Sequence, residues 1–440
     1  MTLSLAAGSV DRIAVMLVML GLALAVCLWM RARPVAALVL WCSVIGFVPV
    51  WFGVNLVFYF APATLIGILV LASLPPRLPH PVSWADLGVF ALFAACLAPA
   101  VVGLGTVTSV FTVLAQWMVA FLIGRLVASH IGFGRAYTVT AAVFTAVAAF
   151  SIVEFLLSWN PYTNLARPSA LYAQWSPLQE RGGLLRAEWA FGHSIALGAC
   201  LALAIPLALA APVRLSLRIT MVLTMMAGAV VSFSRIGMIC SVIGVLLSIA
   251  FLQRDLPRKV RAATAVGLVG AAAIAIPIVS RTFSAAGSEA TNSAAYRGDL
   301  VSLLSGISVF GFTDKAQRTA DGDLYFGSFQ SVDSAIILFG LIYGWIALVI
   351  AVVLLLTATA LVLRRRATPA TIAVVAQIPA LATVALITQY GMFFWFVAGL
   401  AVTHQVARRG DGAGAPDVAS AVAPRAHRLP KNVPGPDRIG

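Results

Sequence analysis

The chain has 440 residues, 61% hydrophobic and only 10% charged, with a formal net charge of +14. A soluble domain carries about 25% charged residues, so the composition argues against a soluble enzyme and for an all-α, polytopic integral membrane protein. Solid apolar runs set aside a transmembrane β-barrel, which alternates every second residue. The basic excess falls between the apolar runs, where it sets topology rather than contacting nucleic acid.

A bilayer-spanning helix needs about 20 mainly apolar residues. In chain order, candidate spans cover 13–30, 35–53, 55–74, 84–103, 106–128, 136–157, 193–211, 216–233, 236–252, 262–279, 335–361, 371–388 and 390–406. Pro49, Trp51 and Asn55 give only a weak break inside 35–74, so twelve spans is the alternative to thirteen. The run before Cys27 resembles a lipoprotein cleavage box, but Val26 is too large for it, so the first run is expected to be a retained helix. All five cysteines fall inside apolar runs, where they behave as small hydrophobes; neither a disulfide nor a metal site is expected.

Arginines then order the loops. Arg31 and Arg33, Arg77, Arg125 and Arg135, Arg214 and Arg218, the group 254–261, Arg364 to Arg366, and Arg408 with Arg409 fall after alternate spans. That pattern reads as the cytoplasmic side. The long connections 158–192 and 280–334 must then face outward. The domain plan is a membrane unit over 1–409 and a disordered basic tail over 410–440, able to touch anionic lipid on the cytoplasmic face.

In the second long loop, Leu300, Leu303, Leu304, Ile307 and Phe310 repeat at helical spacing, with Gly311 as a natural stop. A short amphipathic helix resting on the membrane surface is expected, with Arg297 just before it. Arg297 could serve there as a headgroup anchor or as a ligand for a polar substrate. Two look-alikes are discounted. Arg297-Gly298-Asp299 is a three-residue coincidence, and Asp321-Gly322-Asp323 is a metal-binding pattern of enzymes that use cytoplasmic nucleotide sugars.

The first long loop ends with Arg186, Glu188, Phe191, Gly192 and His193 running into the next span. A guanidinium grips phosphate oxygens through two parallel hydrogen bonds and cannot lose its charge. Arg186 and Arg297 on one face would clamp a lipid-linked pyrophosphate; alternatively, Arg186 and Glu188 form an interfacial pair beside Trp189. Arg235 has almost no loop around it. An arginine costs roughly 2.5 kcal/mol or more at mid-membrane, so Arg235 is placed at the outer surface or in a wet cavity. Asp333 opens the eleventh span, as a helix N-cap or as a base for a sugar hydroxyl.

Three stretches together resemble the O-antigen ligase and O-antigen polymerase family: RAEWAFGHSIALGACLALAIPL from Arg186, SFSRIGMICSVIGVLL from Ser232, and YRGDLVSLLSGISVFGF from Tyr296 followed by VDSAIILFGLIYGWIALVIAVVLLL from Val332. The resemblance covers roughly 180–361. It implies an integral membrane glycosyltransferase of the bacterial inner membrane, working at the outer face without metal, nucleotide sugar or other cofactor. The implied partners are a polyprenyl-pyrophosphate-linked glycan donor, a glycan or lipid acceptor and membrane lipid, with a flippase or chain-length regulator as a candidate complex partner. The resemblance implies that Arg186, Arg235 and Arg297 hold the pyrophosphate. Joined to the reading of the loops, the expected catalytic residues are Arg186, Arg297 and Asp333, and the expected substrate-binding residues Arg235, His193, Glu188 and Arg281. Ligases of the family tend to carry a histidine near the end of the long loop, where this chain has Asp333-Ser334. That departure favours a polymerase, or a ligase of capsule or exopolysaccharide, over a lipid-A ligase. The competing classes are a transporter or flippase of lipid-linked glycans and a cell-elongation-type peptidoglycan polymerase. A transporter would need more polar groups deep in its spans than Glu154, Gln377 and Gln389.

Overall fold

The computed structural model describes residues 17–413 apart from 19, 56, 76–81, 167–168, 254, 286–295, 297, 319–323 and 330. Arg77, His80, Arg254, Arg297, Asp321, Asp323 and the tail from 414 onward lie outside the described residues. Each apolar window of the sequence holds a helix: α1 Leu20–Ala32, α2 Pro34–Phe47, α3 Pro62–Ser73, α4 Trp84–Val101, α5 Val107–Ile131, α6 Phe133–Leu157, α7 Ser194–Ala210, α8 Leu215–Val231, α9 Arg235–Phe251, α10 Arg258–Ala285, α11 Ala335–Leu363, α12 Pro369–Thr383 and α13 Tyr390–Ala413. Among the described residues, three two-stranded hairpins decorate the loops: β1–β2 (Val54–Asn55, Tyr59–Phe60), β3–β4 (Glu180–Arg181, Leu184–Leu185) and β5–β6 (Ala316–Arg318, Leu324–Phe326).

The count of spans needs correction. Among the described residues, six helices are long and apolar enough to cross a membrane, or seven if α1 and α2 form one span bent by 119°; five others have only 10–17 residues. Two of the short ones, α7 and α12, are enclosed largely by protein rather than lipid. Helix α7 is the clearest case: it sits in the middle, packed by α6, α8, α9, α12 and α13, and residues 196–209 are buried throughout. Its small residues let neighbours approach backbone to backbone. At the crossing with α9, a Cβ on Gly237 would lie 2.8 Å from the Cα of Gly198. Gly124 and Gly399 do the same for α5 and α13, where a Cβ on Gly124 would lie 2.1 Å from the Phe396 carbonyl oxygen.

Helix connectivity gathers the arginine-bearing short loops at one end and the long loops at the other. Two of those arginines are not on the surface. Arg125 is buried and forms an ion pair with Asp86, Nε to Oδ1 at 2.6 Å, tying α5 to the first turn of α4. Arg218 is buried as well and donates to the carbonyl of Ala211 at 2.6 Å, closing the C-terminus of α7.

Helix α11 is 29 residues long, about 43 Å at 1.5 Å per residue, against a hydrocarbon core of about 30 Å. It resolves the excess by breaking at Gly344 (φ 86°, ψ 174°). Counting about 20 residues back from Arg364 puts this break at the hydrocarbon boundary. Freed backbone groups at that depth need partners, and the segment 308–313 supplies them. Gly311 and Thr313 donate their N–H groups to the carbonyls of Tyr343 and Leu341, while Trp345 and Ile346 donate to Ser308 and Val309, at 2.8–3.2 Å. The expected amphipathic helix is therefore altered. It is a 3-10 helix over Leu300–Gly306, ends at Gly306 rather than Gly311, and excludes Phe310. Leu300, Leu303 and Ile307 do not rest on lipid; they pack with Ile337, Leu341 and Leu348 of α11.

Candidate functional site

The long-loop end holds a compact polar core around the turn between α8 and α9. Phe233 adopts a left-handed conformation (φ 46°), which strains a non-glycine residue and turns the chain within three residues. Ser234 then caps α9, its hydroxyl accepting from the Gly237 N–H at 3.1 Å. This turn offers its carbonyls to two arginines from the first long loop. Arg186 donates from Nε to the Ser232 carbonyl at 3.1 Å and from Nη1 to Gln179 Oε1 at 2.9 Å. Arg181 donates to the Phe233 carbonyl at 3.0 Å. Arg235, exposed, is the first residue of α9. Arg186 and Arg235, 49 positions apart in the sequence, thus meet at one turn, and Arg181 is a third cation there that the sequence reading did not single out. The hairpin that carries Arg181 turns through Gly182 and Gly183, both at positive φ (57° and 77°), the dihedrals of a two-residue type I′ hairpin loop. The Gly-Gly pair was the available signal.

A second missed residue organises the loop. Glu154, in the last turn of α6, is buried and accepts from Asn160 Nδ2 (2.7 Å), the Trp189 N–H (2.7 Å) and the Glu188 N–H (3.2 Å). It anchors the stretch holding Arg186, Glu188 and His193 to the bundle. Glu188 is fully buried; Oε1 accepts from the Gln179 N–H, and Oε2 has no hydrogen-bond partner among the described residues. Burial pushes its carboxyl up to about 8, with the Arg186 charge pulling the other way. His193 is the N-cap of α7, its Nδ1 accepting from the Ile195 N–H at 3.1 Å, with Trp175 edge-on to its ring. Nδ1 is therefore the unprotonated nitrogen, and burial, aided by the Arg186 charge, holds His193 down at about 4.

Asp333 lies on the far side of the α12–α13 connection. The Val384 carbonyl in that connection accepts from the Ala335 N–H at 3.0 Å, and Gln389 at its other end donates to the carbonyls of Ala190 (3.1 Å) and Val48 (3.0 Å). One short segment thus joins the Asp333 side to the Arg186 side. The N-cap of α11 is Ser334, which accepts from the Ile337 N–H at 3.3 Å. The expected capping role of Asp333 is thereby overturned: the hydroxyl one residue later takes the bond. Asp333 is half-buried and accepts from the Ser331 hydroxyl at 3.0 Å. Tyr296 donates its hydroxyl to the Ser331 carbonyl; burial, with the Asp333 charge adding to it, raises its phenol. Arg297 itself is outside the described residues. Arg281 is exposed near the C-terminal end of α10, on a helix that packs on α8 and α9.

Chemically, the end of the bundle offers the hydrogen-bonded guanidiniums of Arg181 and Arg186, the exposed Arg235, a half-buried carboxylate and a neutral imidazole. Guanidiniums are the side chains suited to a multiply charged anion. The chain matches no protein-family model, no curated protein and no solved structure.

Proposed function

We propose that the chain is a multi-pass glycosyltransferase of the bacterial cytoplasmic membrane that polymerises or ligates glycan carried on a polyprenyl pyrophosphate, with the long-loop end facing outward. The observation that carries this reading is the convergence of Arg181, Arg186 and Arg235 on the Ser232–Arg235 turn, at the end away from the basic short loops. An acceptor hydroxyl oxygen attacks C1 of the donor sugar, and the C1–O bond to the pyrophosphate breaks. The electron pair departs on the pyrophosphate oxygen, where preorganised cations give the largest rate term. In this scheme Arg186, Arg235 and Arg297 hold the leaving group and Arg181 reinforces the clamp. Asp333 takes the hydroxyl proton. His193 and Arg281 line the approach of the substrates, whereas Glu188, fully buried and bonded to the Gln179 backbone, holds the loop that carries Arg186 rather than touching substrate.

The broken helices favour one second reading. Discontinuous helices at a polar site are a device of transporters, and α11 breaks at Gly344 while α12 is interrupted at Gln377. A flippase of lipid-linked glycan would use them. Lipid-linked glycan in a deletion strain separates the readings. Single repeats left on the carrier at the outer face indicate a polymerase, and full-length unattached chains a ligase. Carrier-linked repeats stranded on the cytoplasmic face would overturn the enzyme reading.

A further inference from the structure

At the other end of the bundle lies a groove of about 840 Å³ between the α1–α2 bend and the α5–α6 turn. Its polar rim is basic: Arg33, His130 and Arg135, with Trp29 beside them and no aspartate or glutamate among the lining residues. Its floor is apolar, formed by residues such as Val39 and Ile131. Two helices begin here without side-chain caps. Helix α2 starts after Arg33 and α6 after Gly132, and neither has an acid in its first turn. Uncapped first turns point backbone N–H groups and the positive end of the helix dipole outward, which suits an anion. His130 is oriented as well. Its Nδ1 lies 2.8 Å from the Leu126 carbonyl, which can only accept, so Nδ1 carries a proton, and it is the doubly protonated ring whose Nε2–H donates to an anion. Arg33, His130 and Arg135 are exposed, and neither arginine has an ion-pair partner among the described residues.

We infer that this groove is a binding site for one anionic phospholipid, its phosphate held by Arg33, Arg135, His130 and the two helix N-termini and an acyl chain laid along Val39 and Ile131. The pairing of a basic rim with an apolar floor selects a lipid over a free ion, because most of the surface has nothing to offer a phosphate alone. Basic pockets between membrane helices bind anionic headgroups in this way. The inference is independent of the reading of the other end.

Native mass spectrometry of the full chain, titrated with phosphatidylglycerol and with phosphatidylcholine, tests it. One phosphatidylglycerol should be retained in preference to phosphatidylcholine. Each arginine near a membrane surface contributes appreciably to anionic lipid attraction, so the Arg33→Gln/Arg135→Gln variant should bind at least about tenfold more weakly. Arg33→Lys/Arg135→Lys should retain most of the affinity, since lysine still binds phosphate as a point charge. Arg364→Gln/Arg366→Gln removes the same charge from exposed positions at the same end and should leave the affinity unchanged. Equal losses from both glutamine pairs would reduce the effect to diffuse surface charge and overturn the site. Equal retention of phosphatidylcholine, or displacement of the lipid by excess inorganic phosphate, would do the same.

Discussion

Replacing Glu154 by alanine should detach the first long loop from the bundle while leaving the helices in place. The magnitude follows from what its carboxylate accepts: the Asn160 Nδ2 at 2.7 Å, the Trp189 N–H at 2.7 Å and the Glu188 N–H at 3.2 Å. All four residues are buried. Each donor left buried and unbonded costs about 1–3 kcal/mol. Even at the lower limit, with water entering to relieve part of the cost, the loop loses about 3 kcal/mol. At 1.4 kcal/mol per tenfold, the locally open state becomes roughly a hundredfold more populated. Hydrogen exchange in detergent reads this directly, since two of the three donors are backbone amides. The Glu188 and Trp189 amides should exchange about a hundredfold faster, while amides in the middle of α7 and α9 keep their protection. Unchanged exchange at Trp189 would refute the anchoring argument, and so would an equal rise throughout α9, which would mean global loosening.

Asp333 and Ser334 now separate cleanly: Ser334→Ala should cost α11 about 1 kcal/mol as a lost cap, whereas Asp333→Asn and Asp333→Ala should leave stability alone but each slow glycan transfer a hundredfold or more, measured with purified lipid-linked substrate. Arg186→Lys keeps the charge but not the fork, so transfer should fall at least tenfold with normal insertion; parental activity in that variant would return Arg186 to a purely structural role. Gly344→Ala forces a side chain into a positive-φ position, 2.9 Å from the Gly311 nitrogen, at about 1–3 kcal/mol, and trypsin should then cut faster at exposed Lys315. Glu188 has a raised folded-state pKa, so its protonated form contributes stability that is complete below about 4.5 and lost as pH rises through about 8. The loop, followed by Trp175 and Trp189 fluorescence, should therefore loosen progressively between about pH 4.5 and 8, and Glu188→Gln should flatten that slope. His193, whose pKa is lowered to about 4, works the other way, its contribution being lost as pH falls from about 6.5.

The helices were legible because lipid leaves a residue-by-residue record: a helix facing hydrocarbon must be apolar along its length. Their lengths were less legible, since short α7 and α12 are admitted by the neighbours that enclose them, and neighbours are not written locally. The break in α11 did leave a trace, a 29-residue run with a Gly-Trp pair where 20 residues suffice. What could not be read was the pairing of side chains with distant backbone. Arg186 and Arg235 stood out as isolated charges, but their meeting depends on the Ser232 carbonyl. Glu154 looked like an ordinary acid at a helix end, since its partners are amides 34 and 35 positions later. Arg125 counted as a topology signal, and only the fold shows it spent on Asp86. Asp333 looked like a cap because Asp and Ser are both good caps and sit side by side, and the choice between them turns on one residue of helix register.

The anchoring of the first long loop also has a time dimension. Trp189 leaves the ribosome 35 residues after Glu154, which at about 5–20 residues per second means roughly 2–7 s. During that interval α6 is already made, and the acid in its last turn has none of its three donors. The nascent chain must carry this carboxylate at a membrane boundary until the loop has been threaded and folded back onto it. Conditions that slow elongation between these two positions lengthen the exposure, so synonymous changes that stall translation over 155–189 should lower the yield of inserted protein without altering any residue of the finished molecule.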